Sequence, residues 1–255
     1  MPIENPFGPD SQLRKEWQER MARRNAHRQQ LAIHKKLLKL MTLGTAPTAT
    51  GTALDLFELW GDPLDPARES FVRSCIAEFS ITEGPILLST ATLMTLILGA
   101  MNTDDKNRTI WCLEQNAHWT NTLRTWVKRY SIKNTHIINS QLYVKGGMVR
   151  YRIAGKHLPK NIALVMCDSP APSAGAALST MLTVEDNLAP KFSIMSRKIR
   201  SDDGPLIKRW ATHHQANVLV LNKPDGFAKV SRRHVNLASA APGQKARFDV
   251  DLTAG

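Results

Sequence analysis

Between residues 79 and 232, short apolar runs alternate with segments of helical periodicity, and this alternation limits the fold more than any other feature of the chain. Strands are expected at 79–83, 109–114, 136–142, 148–153, 162–168, 192–198, 217–221 and 227–232, and helices at 88–100, 117–130, 174–186 and 203–215. Strand–helix–strand repetition calls for a mostly parallel sheet covered on both faces. The last two strands flank Lys223-Pro224-Asp225-Gly226, a turn sequence, so the sheet should close with an antiparallel strand. Two of the runs stop on a carboxylate, Thr109–Glu114 and Ile162–Asp168. In an open parallel sheet ligands bind beyond the carboxyl ends of the strands, so the two acids are expected over one crevice. An acid that ends the second strand of a nucleotide-binding sheet typically accepts ribose hydroxyls, which points to a nucleoside-containing ligand.

The segments before residue 79 are read separately. Residues 11–41 read as one basic, interrupted amphipathic helix, with Trp17, Met21, Leu31, Leu38 and Met41 among many Arg and Lys residues. Residues 42–52, rich in Gly, Thr and Pro, read as a linker, and 53–60 and 66–78 as two short helices. Asp65 is placed to cap the second and Pro66 to open it. The expected division is a basic extension at 1–43, an α/β domain with its helical lead-in at 44–237, and a polar tail at 238–255.

With 42% hydrophobic residues in 255, a core of ordinary size is available. The net charge of +12 favours an anionic partner. At the basic helix this would be nucleic acid, an acidic protein or an anionic membrane, although a solvated helix docked on the domain accounts for the pattern equally well. Three scattered cysteines without a CxxC pair argue against a disulfide framework and a thiolate zinc site and fit a cytoplasmic protein. No metal motif is present. The start of the chain lacks the apolar core of a signal peptide. The uncharged stretch 84–101 is diluted by hydroxyl residues and flanked by acids, and is expected to be buried against the sheet rather than to span a membrane.

Over residues 79–235 the order of elements resembles the class I S-adenosylmethionine-dependent methyltransferases, a Rossmann-like α/β fold. Three segments carry the resemblance. Glu83-Gly84-Pro85, followed by Ser89-Thr90, is similar to a degenerate form of the family's first motif, acid–x–Gly–x–Gly–x–Ser–Thr. Glu114-Gln115-Asn116-Ala117-His118-Trp119 is similar to the segment that starts at the ribose-binding acid. Asp168-Ser169-Pro170 resembles the turn after the fourth strand. The resemblance implies S-adenosylmethionine as cofactor and methyl transfer to a substrate oxygen or nitrogen. It implies Glu83, Gly84, Ser89 and Thr90 at the methionine end and Glu114 at the ribose. Gln115 and Gln141, with Ser140, fall near the adenine, and Asp168 faces the reacting atoms as base or orienting group.

Two departures stand out. Pro85 to Leu88 occupy the place of the second glycine, where bulky side chains would crowd the methionine end. No glycine follows Asp168. The rival reading is therefore a methyltransferase-like scaffold without catalysis, docked on nucleic acid or a protein through its basic helix. A nicotinamide-dependent enzyme is disfavoured by the absence of GxGxxG.

Overall fold

The structure is a computed structural model that describes residues 12–90, 92–103, 108–145, 148–168, 176–197, 203–221 and 227–232. The expected tail at 238–255 and the Lys223–Gly226 turn lie outside these residues. Three helices lead in: α1 (Gln12–Leu43), α2 (Ala49–Trp60) and α3 (Pro66–Ile81). They are followed by β1 (Ile86–Leu88), α4 (Leu93–Met101), β2 (Ile110–Glu114), α5 (Ala117–Arg129) and β3 (Thr135–Asn139). A hairpin of β4 (Leu142–Lys145) and β5 (Met148–Tyr151) comes next. The chain then forms β6 (Ile162–Cys167), α6 (Ala176–Val184), β7 (Leu188–Arg197), α7 (Asp203–His213), β8 (Asn217–Leu221) and β9 (Phe227–Arg232).

Seven strands form one sheet in the order β3-β2-β1-β6-β7-β9-β8. β3, β2, β1, β6 and β7 are parallel neighbours, and β9 runs antiparallel to both β7 and β8. This is the Rossmann-like sheet with a C-terminal antiparallel strand anticipated above. The winding reverses at β1: the next strands build outward on one side through β2 and β3, and β6 then pairs with the other side of β1. The crevice of such a sheet opens at that switch, above the carboxyl ends of β1 and β6.

Period-two alternation sends side chains to two cores. Ile86, Leu88, Ile110, Cys112, Leu164 and Met166 face the layer that contains α1 to α5. Leu87, Leu113, Val165 and Cys167 face α6 and α7, with Leu178, Met181 and Trp210. The uncharged stretch 84–101 resolves into β1 and the wholly buried α4, and among the described residues no helix is long and apolar enough to cross a membrane. Gly99 lets α4 lie close to its neighbours, because a Cβ there would sit 2.6 Å from Ile132 Cγ2.

The lead-in differs from the expectation in two ways. Residues 79–83 do not form the first strand: α3 runs on to Ile81. Phe79 is fully buried, the Arg108 guanidinium lies 4.2 Å from its ring centroid, and Arg108 donates to the Phe79 carbonyl at 2.7 Å. These contacts hold the segment helical, and the first strand is the three residues Ile86–Leu88. The following helix therefore begins at Leu93 rather than 88, capped by the Thr92 side chain. The linker expected at 42–52 shrinks to the few residues between α1 and α2, and Ile33, Leu37 and Leu40 of α1 belong to the main core. Asp65 caps α3, accepting from the Arg68 N–H at 2.7 Å, with Pro66 as its first residue, as anticipated.

Candidate functional site

The carboxyl edge carries, in spatial order, Ser140 after β3, Glu114 ending β2, Ser89 and Thr90 after β1, Asp168 after β6 and Arg197 ending β7. Glu114 and Asp168 thus stand two strand spacings apart, about 10 Å, on either side of β1. The Ser89 N–H bonds the Met166 carbonyl at 2.9 Å, which continues the β1–β6 ladder to the edge.

Glu114 is buried at 5% exposure, and its Oε1 accepts the Asn116 N–H at 2.8 Å. The turn after it is tightly built. The Asn116 side chain caps α5 by accepting from the Trp119 N–H at 3.0 Å, and the Ser140 N–H and the Asn139 side-chain amide both donate to the Glu114 carbonyl, at 2.7 and 3.2 Å. Ser140 beside it is 4% exposed, and its Oγ is buried with no hydrogen-bond partner among the described residues. A buried hydroxyl left unpaired costs free energy unless a ligand or water completes it.

At the switch point, the Tyr151 hydroxyl at the end of the β4–β5 hairpin donates to the Ser89 carbonyl and bonds the Thr90 side chain. Burial pushes the Tyr151 hydroxyl well above the usual phenol range, opposed by the Thr90 hydrogen bond, with Cys112, Glu114 and Cys167 close enough to add to the rise. The hairpin is held over the edge from below, where the Ser179 hydroxyl of α6 donates to the Val149 carbonyl at 2.5 Å. Burial also raises the Cys167 thiol to about 11, against hydrogen bonds from Thr180, Ser89 and Ser196.

Asp168 is held by Arg197, whose Nε donates to Oδ1 at 2.7 Å, with side-chain exposures of 19% and 11%. A second pair lies alongside. Arg68 of α3 grips Asp62 through both terminal guanidinium nitrogens, and Arg68 also feels Asp168 while Asp62 feels Arg197. The hydrogen bond from Arg68 holds the Asp62 carboxyl below the usual range. The α2–α3 corner is thereby folded against the Asp168 side of the crevice.

The structure brings together Ser89, Thr90, Glu114, Asp168 and, at the rim, the exposed Gln115 and Gln141. It does not bring Glu83 and Gly84 to them. Ile86, the first residue of β1, pairs with Ile110, the first of β2, and with Leu164 of β6, so Glu83 and Gly84 precede β1 at the opposite, amino edge. Gly84 takes φ +96° there, next to Ala163 and Asn161. Ile86, Leu87 and Leu88 are the interior of β1 and do not crowd the crevice; the loop after β1 is Ser89 to Thr92, a hydroxyl-rich loop without glycine. The linear motif imitates an acid–glycine loop on the wrong side of β1, before the strand instead of after it. Tyr151 and the Arg68–Asp62 pair have no signal in the sequence, and the sequence places Arg197 on a solvated basic surface rather than against Asp168. Only the adjacency of β6 and β7 could have suggested Arg197.

No family model and no characterised protein matches the chain in sequence. Solved structures do resemble it. A precorrin-6y C5,15-methyltransferase from Geobacter metallireducens is 12% identical over 67% of this chain and 91% of its own, with a TM-score of 0.47. A methyltransferase from Geobacter sulfurreducens is 8% identical over 74% and 90%, with a TM-score of 0.48. The SAH-bound Podospora anserina methyltransferase PaMTH1 is 14% identical over 72% and 87%, with a TM-score of 0.45. At these identities and scores the likeness carries nothing about chemistry. The methyltransferase-like fold rests on the strand order and on the reversed β9.

Proposed function

We propose that the chain transfers a methyl group from S-adenosylmethionine to an oxygen or nitrogen atom of its substrate. One observation carries the reading: the buried Glu114 that ends β2 is joined through its carbonyl to the N–H of buried Ser140 just after β3, whose hydroxyl has no hydrogen-bond partner among the described residues. That pair fits a ribose with an adjoining purine edge, where a carboxylate accepts the two sugar hydroxyls and a hydroxyl completes the base. S-adenosylmethionine supplies, when bound, a methyl group activated by a sulfonium.

Gln115 and Gln141 flank the purine position from the rim. Ser89, Thr90 and the amino terminus of α4, whose first N–H groups have no helical partners, suit the carboxylate of the methionine end. Asp168, fixed by Arg197, accepts a hydrogen bond from the nucleophile and aims it; most of the rate would come from holding two reactants in line. Glu83 and Gly84 take no part.

A second reading, a scaffold without catalysis, is favoured by one contact. The Tyr151 hydroxyl is already bonded to Ser89 and Thr90, on the ground the methionine end needs. Calorimetry with S-adenosylmethionine and S-adenosylhomocysteine separates the two. The proposed function expects binding that is lost in Glu114→Ala and kept in Glu83→Ala. A folded protein that binds neither compound overturns it in favour of the scaffold.

A further inference from the structure

The positive charge of this chain is concentrated in two segments. α1 holds nine Lys and Arg against two Glu, a net of +7. From Gln115 to Cys167 there are nine Lys and Arg and no acid at all, a net of +9. Everything else sums to 12 − 7 − 9 = −4. Glu114 and Asp168, the two site carboxylates, are the residues that bound the acid-free stretch.

Both segments reach the ligand edge. The end of α1 lies at the amino edge, where a Cβ on Gly44 would sit 2.8 Å from Thr103 Oγ1 just past α4. Traced backwards, α1 rises along the sheet layer until Gln29 donates to the Leu59 carbonyl at 2.6 Å. Leu59 adjoins Trp60, which packs on Trp119 in the first turn of α5, close after Glu114. Gln29 is therefore level with the carboxyl edge. The helix continues from there back to Gln12, roughly 25 Å further at 1.5 Å per residue. Residues 24–28 of this overhang are exposed without exception, more than one full turn of helix. Within it Arg24, His27 and Arg28 face solvent.

The acid-free segment supplies the opposite bank. Exposed Arg152 follows the hairpin, its N–H bonded to the Gln141 carbonyl at 2.7 Å just past β3, and its guanidinium lies 5.9 Å from the Tyr143 ring centroid. Val144 beside it is 71% exposed. A basic track with an arginine–aromatic pair is the equipment for gripping phosphates and stacking an unpaired base.

We propose that this surface binds a nucleic acid, with its backbone along α1 and an unpaired stretch at the β4–β5 hairpin beside the crevice. That the bound nucleic acid is also the methyl acceptor rests on the proposed function; the surface itself does not. Anionic lipid would supply the same phosphates, but a helix lying on a membrane needs a broad apolar face. The overhang offers only Leu13, Trp17 and Met21 as large apolar residues.

The test is fluorescence anisotropy of a labelled RNA stem-loop with the full-length protein, titrated at salt concentrations from about 50 to 200 mM. Binding should weaken steeply with salt. Arg24→Glu/Arg28→Glu should weaken it at least about tenfold and lower the logarithmic salt slope by roughly two units. Arg152→Ala, on the other bank, should weaken it independently, with circular dichroism unchanged in both variants. The proposal is overturned by no RNA binding at the lowest salt, by equal binding in both folded variants, or by tighter binding to phosphatidylserine vesicles than to RNA. Calorimetry with S-adenosylmethionine on the same samples keeps the two ideas apart. RNA binding without cofactor binding supports the surface and sinks the proposed function. Cofactor binding without RNA binding does the reverse.

Discussion

Replacing Arg197 by Met removes the cation that holds Asp168. The bond is 2.7 Å long, and both side chains are mostly buried, at 11% and 19% exposure. Charge centres about 4 Å apart attract by about 4 kcal/mol at an effective dielectric constant near 20. Desolvation of the two groups offsets part of this, and truncating one partner of a fully buried pair costs about 3–5 kcal/mol. Here Arg68 still lies near enough to act on Asp168, and Asp62 on Arg197. The residual neighbours lower the expected loss for Arg197→Met to about 2 kcal/mol, or roughly 4–8 °C in Tm. In a cycle with Asp168→Asn, urea unfolding should give a coupling of about 1.5–2.5 kcal/mol, because the double variant leaves no unpaired charge. Arg197→Lys should recover part of the loss. If Arg197→Met lies within about 0.5 kcal/mol of the parent, or the two changes simply add, the four charges do not act as a unit and the account of Asp168 as a fixed group fails.

Three further outcomes follow from other contacts. Lys229→Met removes the cation that bonds the buried Glu78 carboxylate, so urea unfolding should show a loss of about 3 kcal/mol, largely recovered in Glu78→Met/Lys229→Met. Burial raises all three thiols, Cys112 to about 12 and Cys167 to about 11, from an ordinary value of 9.0. Their contribution to stability is therefore complete below pH 9 and is lost as pH rises through the folded values; alkaline unfolding should begin above pH 9, and a thiol reagent at pH 8 should label the protein only after denaturation. Tyr151→Phe leaves the Ser89 carbonyl without its hydroxyl donor and should cost about 1–2 kcal/mol in thermal or urea unfolding.

The parts of the site that could be read from the chain alone are those where local sequence and topology agree. Glu114 and Asp168 each end an apolar run long enough to be seen as a strand, and the fold carries both to one edge. The first motif misled because β1 is only Ile86–Leu88, too short to show a period, while Glu83-Gly84-Pro85 next to it imitates the acid and glycine of a phosphate-type loop. The helical state of residues 79–81 is decided by distant partners: Arg108 bonds and stacks on Phe79, and Lys229 and Ser193 pin Glu78. No local pattern carries those contacts. The same holds for Arg197, 29 residues from Asp168, and for Tyr151, 62 residues from Ser89. The basic helix was visible, but its two halves were not. Only packing separates the docked Ile33, Leu37 and Leu40 from the exposed residues 24–28.

The most direct test of the central claim is a crystal structure of the protein grown with S-adenosylhomocysteine. The account predicts the ligand at the carboxyl edge, with its ribose on Glu114, its adenine reaching the Ser140 hydroxyl and its sulfur turned toward Asp168. Ligand at the amino edge beside Glu83 and Gly84, or a carboxyl edge left empty at saturating ligand with Tyr151 still bonded to Ser89, would contradict it.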